Sequence, residues 1–152
     1  MTIETSPSLI LVADDDAGDR ALIRRALVGG GFGGEIVTVN DGEEALNYLM
    51  RQGNFQDLAG RPLPDLLILD LNMPRVDGKQ VLRAMSEDAT LKTIPVVVFT
   101  TSDQSDDISE SYDRGAWYYM VKPMGVAGYA RMVEVLRGFW GRLNEMLGQP
   151  PT

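Results

Sequence analysis

The sequence predicts an α/β domain built on a five-stranded parallel sheet with helices on both faces. Short apolar runs alternate with helix-length segments five times along the chain. The runs are continuously apolar and rich in β-branched residues, as strands buried on both faces require. Most linkers are short, so the elements belong to one domain joined by right-handed crossovers.

The first strand, residues 9–13, reads Leu-Ile-Leu-Val-Ala and ends at Asp14-Asp15-Asp16. Helix 17–28 follows, with Leu22, Ala26 and Leu27 on one face, and one of the three aspartates caps it. Residues 29–34, Gly-Gly-Gly-Phe-Gly-Gly, formally contain G-x-G-x-x-G. A dinucleotide fingerprint follows a strand and opens a helix; this run does the reverse and reads as a helix C-cap and turn. Strand 35–39 and helix 42–51 come next. The Gly, Asn, Pro and Arg content of 53–64 marks a loop, either partner-facing or a tolerated surface insertion. Strand 66–69 ends at Asp70 and runs through Leu71-Asn72-Met73-Pro74 to helix 78–86. Strand 95–99 leads into Thr100-Thr101-Ser102 and a polar helix, 105–114. Strand 118–121 ends at Lys122-Pro123, and a long helix spans about 125–147. Residues 1–7 and 148–152 are expected to be flexible ends of a single domain, 1–152, with no output domain.

Composition narrows the chemistry. A chain of 152 residues can bury a core, and 44% hydrophobic with 24% charged residues marks a globular protein rather than a disordered one. The net charge of −8 argues against DNA or RNA as a direct partner. Arg20, Arg24 and Arg25, and Arg131, Arg137 and Arg142, fall at helical spacing and read as solvated faces. The absence of cysteine excludes disulfides and thiolate chemistry, and the absence of histidine excludes imidazole acid–base catalysis. Any metal is therefore held by oxygen and is hard, Mg²⁺ or a mimic. The polar N-terminus is no signal peptide and no stretch is long enough to span a membrane, so a cytoplasmic location is expected.

Four strand ends carry the chemistry. Asp14-Asp15 and Asp70 would meet if the first and third strands are neighbours, and carboxylates that close stay ionised only with a cation among them. Thr100 and Lys122 end two further strands. A carboxylate nucleophile, a metal cage, a hydroxyl and an ammonium are the parts that phosphoryl transfer needs.

These segments resemble the receiver domain of bacterial two-component response regulators. The carriers are Leu11-Val12-Ala13-Asp14-Asp15-Asp16, Leu69-Asp70-Leu71-Asn72-Met73-Pro74 with Asp77-Gly78, Val98-Phe99-Thr100-Thr101-Ser102, and Tyr119-Met120-Val121-Lys122-Pro123. The resemblance implies the flavodoxin-like strand order 2-1-3-4-5. It implies that Asp70 accepts a phosphoryl group from a histidine kinase, and that Asp15 binds Mg²⁺ directly and Asp14 mainly through water. It further implies that the Asn72 backbone carbonyl and Asp70 complete the protein's metal ligands, and that Lys122, before a cis Pro123, pairs with the phosphoryl group. Thr100 and Tyr119 match the family's switch pair. The Thr100-Thr101-Ser102 segment, the 53–64 loop and Phe139-Trp140 resemble stand-alone receivers associated with phytochrome-type photoreceptor kinases. Such a protein signals by contact rather than by turnover. Rival readings are a shuttle to a histidine phosphotransfer protein and a Mg²⁺-dependent aspartyl phosphatase; Asn72, where such phosphatases carry a second acid, weighs against the latter.

The last helix carries Val126, Tyr129, Val133, Leu136, Trp140, Leu143 and Leu147 at spacings of three and four, with Met132, Phe139 and Met146 beside them. One apolar row packs on the sheet. The wider stripe predicts a two-fold homodimer through the fourth helix, fifth strand and fifth helix, using Tyr129, Met132, Leu136, Phe139, Trp140 and Leu143.

Overall fold

The computed structural model describes residues 8–146, with side chains described through residue 138. Strands β1 (Leu9–Ala13), β2 (Glu35–Val39), β3 (Leu66–Leu69), β4 (Val96–Thr100) and β5 (Tyr118–Val121) form one parallel sheet in the order β2-β1-β3-β4-β5. The helices are α1 (Ala17–Gly29), α2 (Gly42–Met50), α3 (Gly78–Ser86), α4 (Ser105–Asp113) and α5 (Ala127–Met146). This is the flavodoxin-like order that the resemblance implies.

Side chains alternate across each strand, so a continuously apolar run feeds two cores. Leu11, Ala13, Leu67, Leu69, Val96 and Val98 face α2 and α3, packing with Tyr48, Leu49, Val81, Leu82 and Met85. Ile10, Val12, Leu66, Ile68, Val97 and Phe99 face α1 and α5, packing with Ile23, Leu27, Tyr129, Met132, Val133 and Leu136. Asp16 caps α1 by accepting from the Asp19 N–H. Asp77 and Gln80 form a reciprocal capping box at α3.

Several expectations need correction. Strand 95–99 lies one residue later, at Val96–Thr100. Pro95 has no N–H for the ladder, although its carbonyl accepts from Leu67. Thr100, expected at the strand end, is the fully buried last residue of β4. The 53–64 segment is folded, not open loop: Gly53–Leu58 forms a kinked 3₁₀ segment, and Phe55, Leu58 and Leu63 pack against the core. The Lys122–Pro123 bond is trans, since the structure has no cis peptide among the described residues. The cis and trans forms before proline differ by only about 0.5–1 kcal/mol, too little for sequence to decide.

Tyr129, Met132 and Leu136 are buried inside the protomer at 5%, 0% and 4% exposure. They are core residues, because the sheet consumes the apolar row at this part of α5, and they cannot form a dimer face. The side chains of Phe139, Trp140 and Leu143, and the ends 1–7 and 148–152, lie outside the described residues.

Candidate functional site

Register explains why distant acids meet. Ala13 of β1 pairs with Leu69 of β3, so the next residues, Asp14 and Asp70, leave the sheet side by side. The Asp70 N–H donates to the Ala13 carbonyl at 3.0 Å and fixes that exit. Ligand atoms of Asp14, Asp15 and Asp70 lie within 4.8 Å of one another. Asp14 and Asp70 are buried, whereas Asp15 is exposed at the rim. The Asn72 N–H donates to Asp70 Oδ1 at 3.2 Å, which orients the carboxylate and places Asn72 beside it.

Two close backbone approaches hold the loop after β3. A Cβ on Gly78 would stand 2.3 Å from the Asp70 carbonyl oxygen, and one on Gly42 would stand 1.8 Å from that of Val76. Only glycine allows α3 and α2 to begin so near the loop that carries Asp70.

The opposite wall comes from β4 and β5. Thr100 pairs with Val121, and the Lys122 N–H donates to the Thr100 carbonyl at 2.7 Å. Lys122 then turns its side chain inward, leaving it 5% exposed. Its Nζ lies 2.7 Å from Asp19 Oδ2, 2.8 Å from Asp14 Oδ2 and 3.1 Å from Asp70 Oδ2. The contacts to Asp19 and Asp70 are hydrogen bonds, whereas Asp14 Oδ2 is an ion-pair contact without hydrogen-bond geometry.

Electrostatics follow from this crowding. Burial raises the Asp14 carboxyl above its ordinary value, and Lys122 offsets that only in part. Burial works to lower the Lys122 ammonium, but contacts with Asp14 and Asp19 and the charge of Asp70 outweigh it and hold it above an ordinary lysine. One ammonium thus faces three carboxylates, with Asp15 as a fourth at the rim. That imbalance suits a hard divalent cation, and the all-oxygen donor set fits one. Thr100 Oγ1 is the other unfinished group, fully buried with no hydrogen-bond partner. A buried hydroxyl left in this way is costly unless a ligand completes it.

Tyr119 sits half-buried beside this wall, its hydroxyl donating to the Ser102 carbonyl. The structure therefore brings together Asp14, Asp15, Asp70, Asn72, Thr100 and Lys122, with Tyr119 adjoining. Sequence reasoning missed Asp19 and Arg20. Asp19 meets Lys122, and Arg20 Nη1 donates to the Asp14 carbonyl at 2.7 Å. An aspartate in a first helical turn reads as an ordinary dipole-matching acid; only the fold shows that this turn faces the end of β5.

Comparison with known proteins matches this geometry. The response regulator receiver domain family matches residues 10–134. The probable methanogenesis regulatory protein FilR2 of Methanothrix harundinacea is 37% identical over 142 residues, 93% of this chain and 89% of its own. The response regulator Rcp1 of Synechocystis is 34% identical over 134 residues, 88% of this chain and 89% of its own. Its Mn²⁺-bound crystal structure superposes with a TM-score of 0.79, covering 88% of this chain and 94% of that one. The phosphorylated cyanobacterial phytochrome response regulator RcpA superposes with a TM-score of 0.80 at 39% identity, covering 89% of this chain and 94% of that one. A match across most of the chain, with acidic, hydroxyl and ammonium groups gathered at the strand ends, establishes that the chain belongs to the response regulator receiver family.

Proposed function

We propose that this protein is a response regulator that accepts a phosphoryl group on Asp70 from a histidine kinase and signals by protein contact. The observation that carries the reading is the buried Lys122 ammonium beside Asp70, with Asp14 and Asp15 clustered around the same carboxylate. Asp14, Asp15, Asp70 and the Asn72 carbonyl would hold Mg²⁺, as the Mn²⁺-bound form of Rcp1 suggests for a relative. When bound, the cation neutralises charge on the phosphoryl oxygens. A carboxylate oxygen of Asp70 forms the new P–O bond as the P–N bond of a donor phosphohistidine breaks, and the imidazole leaves. Lys122 supplies fixed positive charge to the transferred group. Thr100 donates its otherwise unpaired hydroxyl to a phosphoryl oxygen, and Tyr119 follows into the space it vacates.

The output surface in this reading lies on α4, β5 and the connection from β5 to α5. Tyr112, Tyr118, Val121, Met124 and Val126 expose apolar surface there. This face, rather than the buried residues of α5, is assigned to a homodimer contact. The likeness to RcpA, a cyanobacterial phytochrome response regulator, supports a phytochrome-type photoreceptor kinase upstream.

Incubation with acetyl phosphate, with and without Mg²⁺, tests the chemistry by intact mass. A Mg²⁺-dependent, base-labile adduct that disappears in Asp70→Asn is the expected result. Steady phosphate release without an adduct would instead favour a phosphatase.

A further inference from the structure

We propose that Asp19 is a positioning residue that holds Lys122 in competition with the acceptor Asp70. The inference rests on the reading of Asp70 as phosphoacceptor. Of the three carboxylates around the ammonium, Asp19 makes the shortest contact, a 2.7 Å hydrogen bond. Neither role usual for an acid here accounts for it. Asp16 already caps α1, and Asp19 stands outside the cluster formed by Asp14, Asp15 and Asp70.

Asp19 is also aimed. Its Oδ1 accepts from the Tyr129 hydroxyl of α5 at 3.3 Å. Tyr129 is 5% exposed and meets Phe99 of β4 edge to face, with ring centroids 5.5 Å apart. The carboxylate is thereby fixed between α1 and α5 with its second oxygen turned to the end of β5.

An ammonium has three protons to donate. In this arrangement Asp19 and Asp70 each accept one, and Asp14 adds an ion-pair contact at 2.8 Å. A phosphoryl group arriving on Asp70 brings new negative charge, yet one of those protons is already committed to Asp19. A charge-assisted hydrogen bond of this length is a strong competitor. Asp19 therefore weakens the pull of Lys122 on the incoming group and sets a slow, controlled rate of phosphorylation.

The test measures phosphorylation by acetyl phosphate at saturating Mg²⁺ in wild type, Asp19→Asn, Asp19→Glu and Tyr129→Phe. Asp19→Asn is expected to form the Asp70 adduct faster, by roughly three- to tenfold, the scale of one net intramolecular hydrogen bond. Asp19→Glu should restore the wild-type rate, and Tyr129→Phe, which only loosens the carboxylate, should fall between. A purely structural role would slow the reaction in Asp19→Asn, and an equal or slower rate overturns the proposal. A second readout uses ¹⁵N-lysine NMR of the metal-free protein, with the Lys122 ammonium assigned by its loss in Lys122→Gln. Its resonance should shift and its protons exchange faster in Asp19→Asn but not in Asp19→Glu; an unchanged signal also overturns the proposal. A wild type that forms no Asp70-dependent adduct refutes the phosphoacceptor reading, and the NMR comparison then decides the hold of Asp19 on Lys122 by itself.

Discussion

The Tyr119 hydroxyl donates a 2.9 Å hydrogen bond to the carbonyl oxygen of Ser102. The contact ties β5 to the segment between β4 and α4, two residues beyond the buried Thr100. The Tyr119 N–H is also committed, donating to the Tyr112 hydroxyl of α4 at 3.0 Å. Burial raises the Tyr119 phenol above its ordinary value, so it remains a protonated donor at neutral pH. An inward turn of the ring would have to give up Ser102. The switch proposed for Thr100 and Tyr119 therefore starts from a restrained state, not a loose one.

Thr100→Val separates stability from signalling. The hydroxyl is buried and unpartnered, so replacing it with a methyl group of similar shape removes a desolvation penalty. Urea unfolding without Mg²⁺ should show Thr100→Val more stable by about 1 kcal/mol. The same variant should take a phosphoryl group on Asp70 yet show no accompanying change in tyrosine near-UV circular dichroism. A destabilised variant would mean that the hydroxyl has a partner in solution.

Lys79 of α3 gives a pH-dependent tether to α4. It contacts Asp107 at 2.6 Å and Glu110 at 3.0 Å, and Asp107 also accepts from the Ser102 hydroxyl. Hydrogen bonds donated to Asp107 and then to Glu110 raise the Lys79 ammonium, while Lys79 first and Ser102 second lower the Asp107 carboxyl. Lys79 likewise lowers Glu110, with Arg114 assisting. A lowered carboxyl contributes stability above its unfolded value, 3.8 for Asp107 and 4.5 for Glu110, and loses it as pH falls through the folded value. A raised lysine contributes fully below 10.5 and loses its share only as pH rises through its folded value. Lys79→Gln should therefore lower the urea midpoint by a constant amount between about pH 5 and 10. The difference from wild type should shrink towards pH 3; a difference that persists there would rule out the ion pairs as its source.

How much of this was legible in the sequence depends on how local each signal is. The apolar runs of β1, β3 and β4 could be read directly because strands buried on both faces are apolar throughout. Asp14, Asp70 and Lys122 were legible because each stands just past a strand end, though their convergence needed the strand order. Asp19 was not legible, since its partner lies 103 residues away and an acid in a first helical turn has an ordinary local explanation. The use of Tyr129, Met132 and Leu136 was misread for a related reason. Helical spacing reports that a face is apolar, not whether the sheet or a second chain covers it. The trans bond at Pro123 rests on a small energy difference that no neighbouring residue reveals.

Gly78 is expected to be indispensable to the acceptor loop. Its N–H donates to the Leu71 carbonyl at 2.9 Å, and an added Cβ would meet backbone atoms of Asp70 and Leu71 at 2.3 and 2.7 Å. Backbone cannot swing aside as a flexible side chain can, so Gly78→Ala has to move either the start of α3 or Asp70 itself. Overpacking of this kind costs about 1–3 kcal/mol. Urea unfolding should show that loss, and acetyl phosphate labelling of the still-folded variant should be slowed. Labelling at the wild-type rate would show that the acceptor tolerates the shift.

Arg51 governs the 53–64 segment, and it does so at the opposite end of the sheet from Asp70. It ends α2 in the left-handed region at φ 56°. From there its guanidinium donates to the carbonyls of Tyr48, Arg61 and Pro62, at 2.8, 3.2 and 2.9 Å, and lies 4.9 Å from the centre of the Tyr48 ring. Tyr48 in turn meets Phe55 edge to face at 5.3 Å. One side chain thus clamps both ends of the segment, and a cavity of about 490 Å³ lies between it and the starts of β1 and β2. Arg51→Ala removes the clamp and keeps the left-handed strain that any residue with a Cβ bears there, so it isolates the side chain; Arg51→Gly removes the clamp and also relieves that strain, about 1 kcal/mol. Both variants should be cut by protease within 53–64 far sooner than wild type, with Arg51→Ala also less stable than Arg51→Gly. Phosphorylation of Asp70 should be unchanged in Arg51→Gly, because no contact of Arg51 reaches the strand ends that form the site. A slower Asp70 adduct in that variant would instead show that the segment communicates with the acceptor through the sheet.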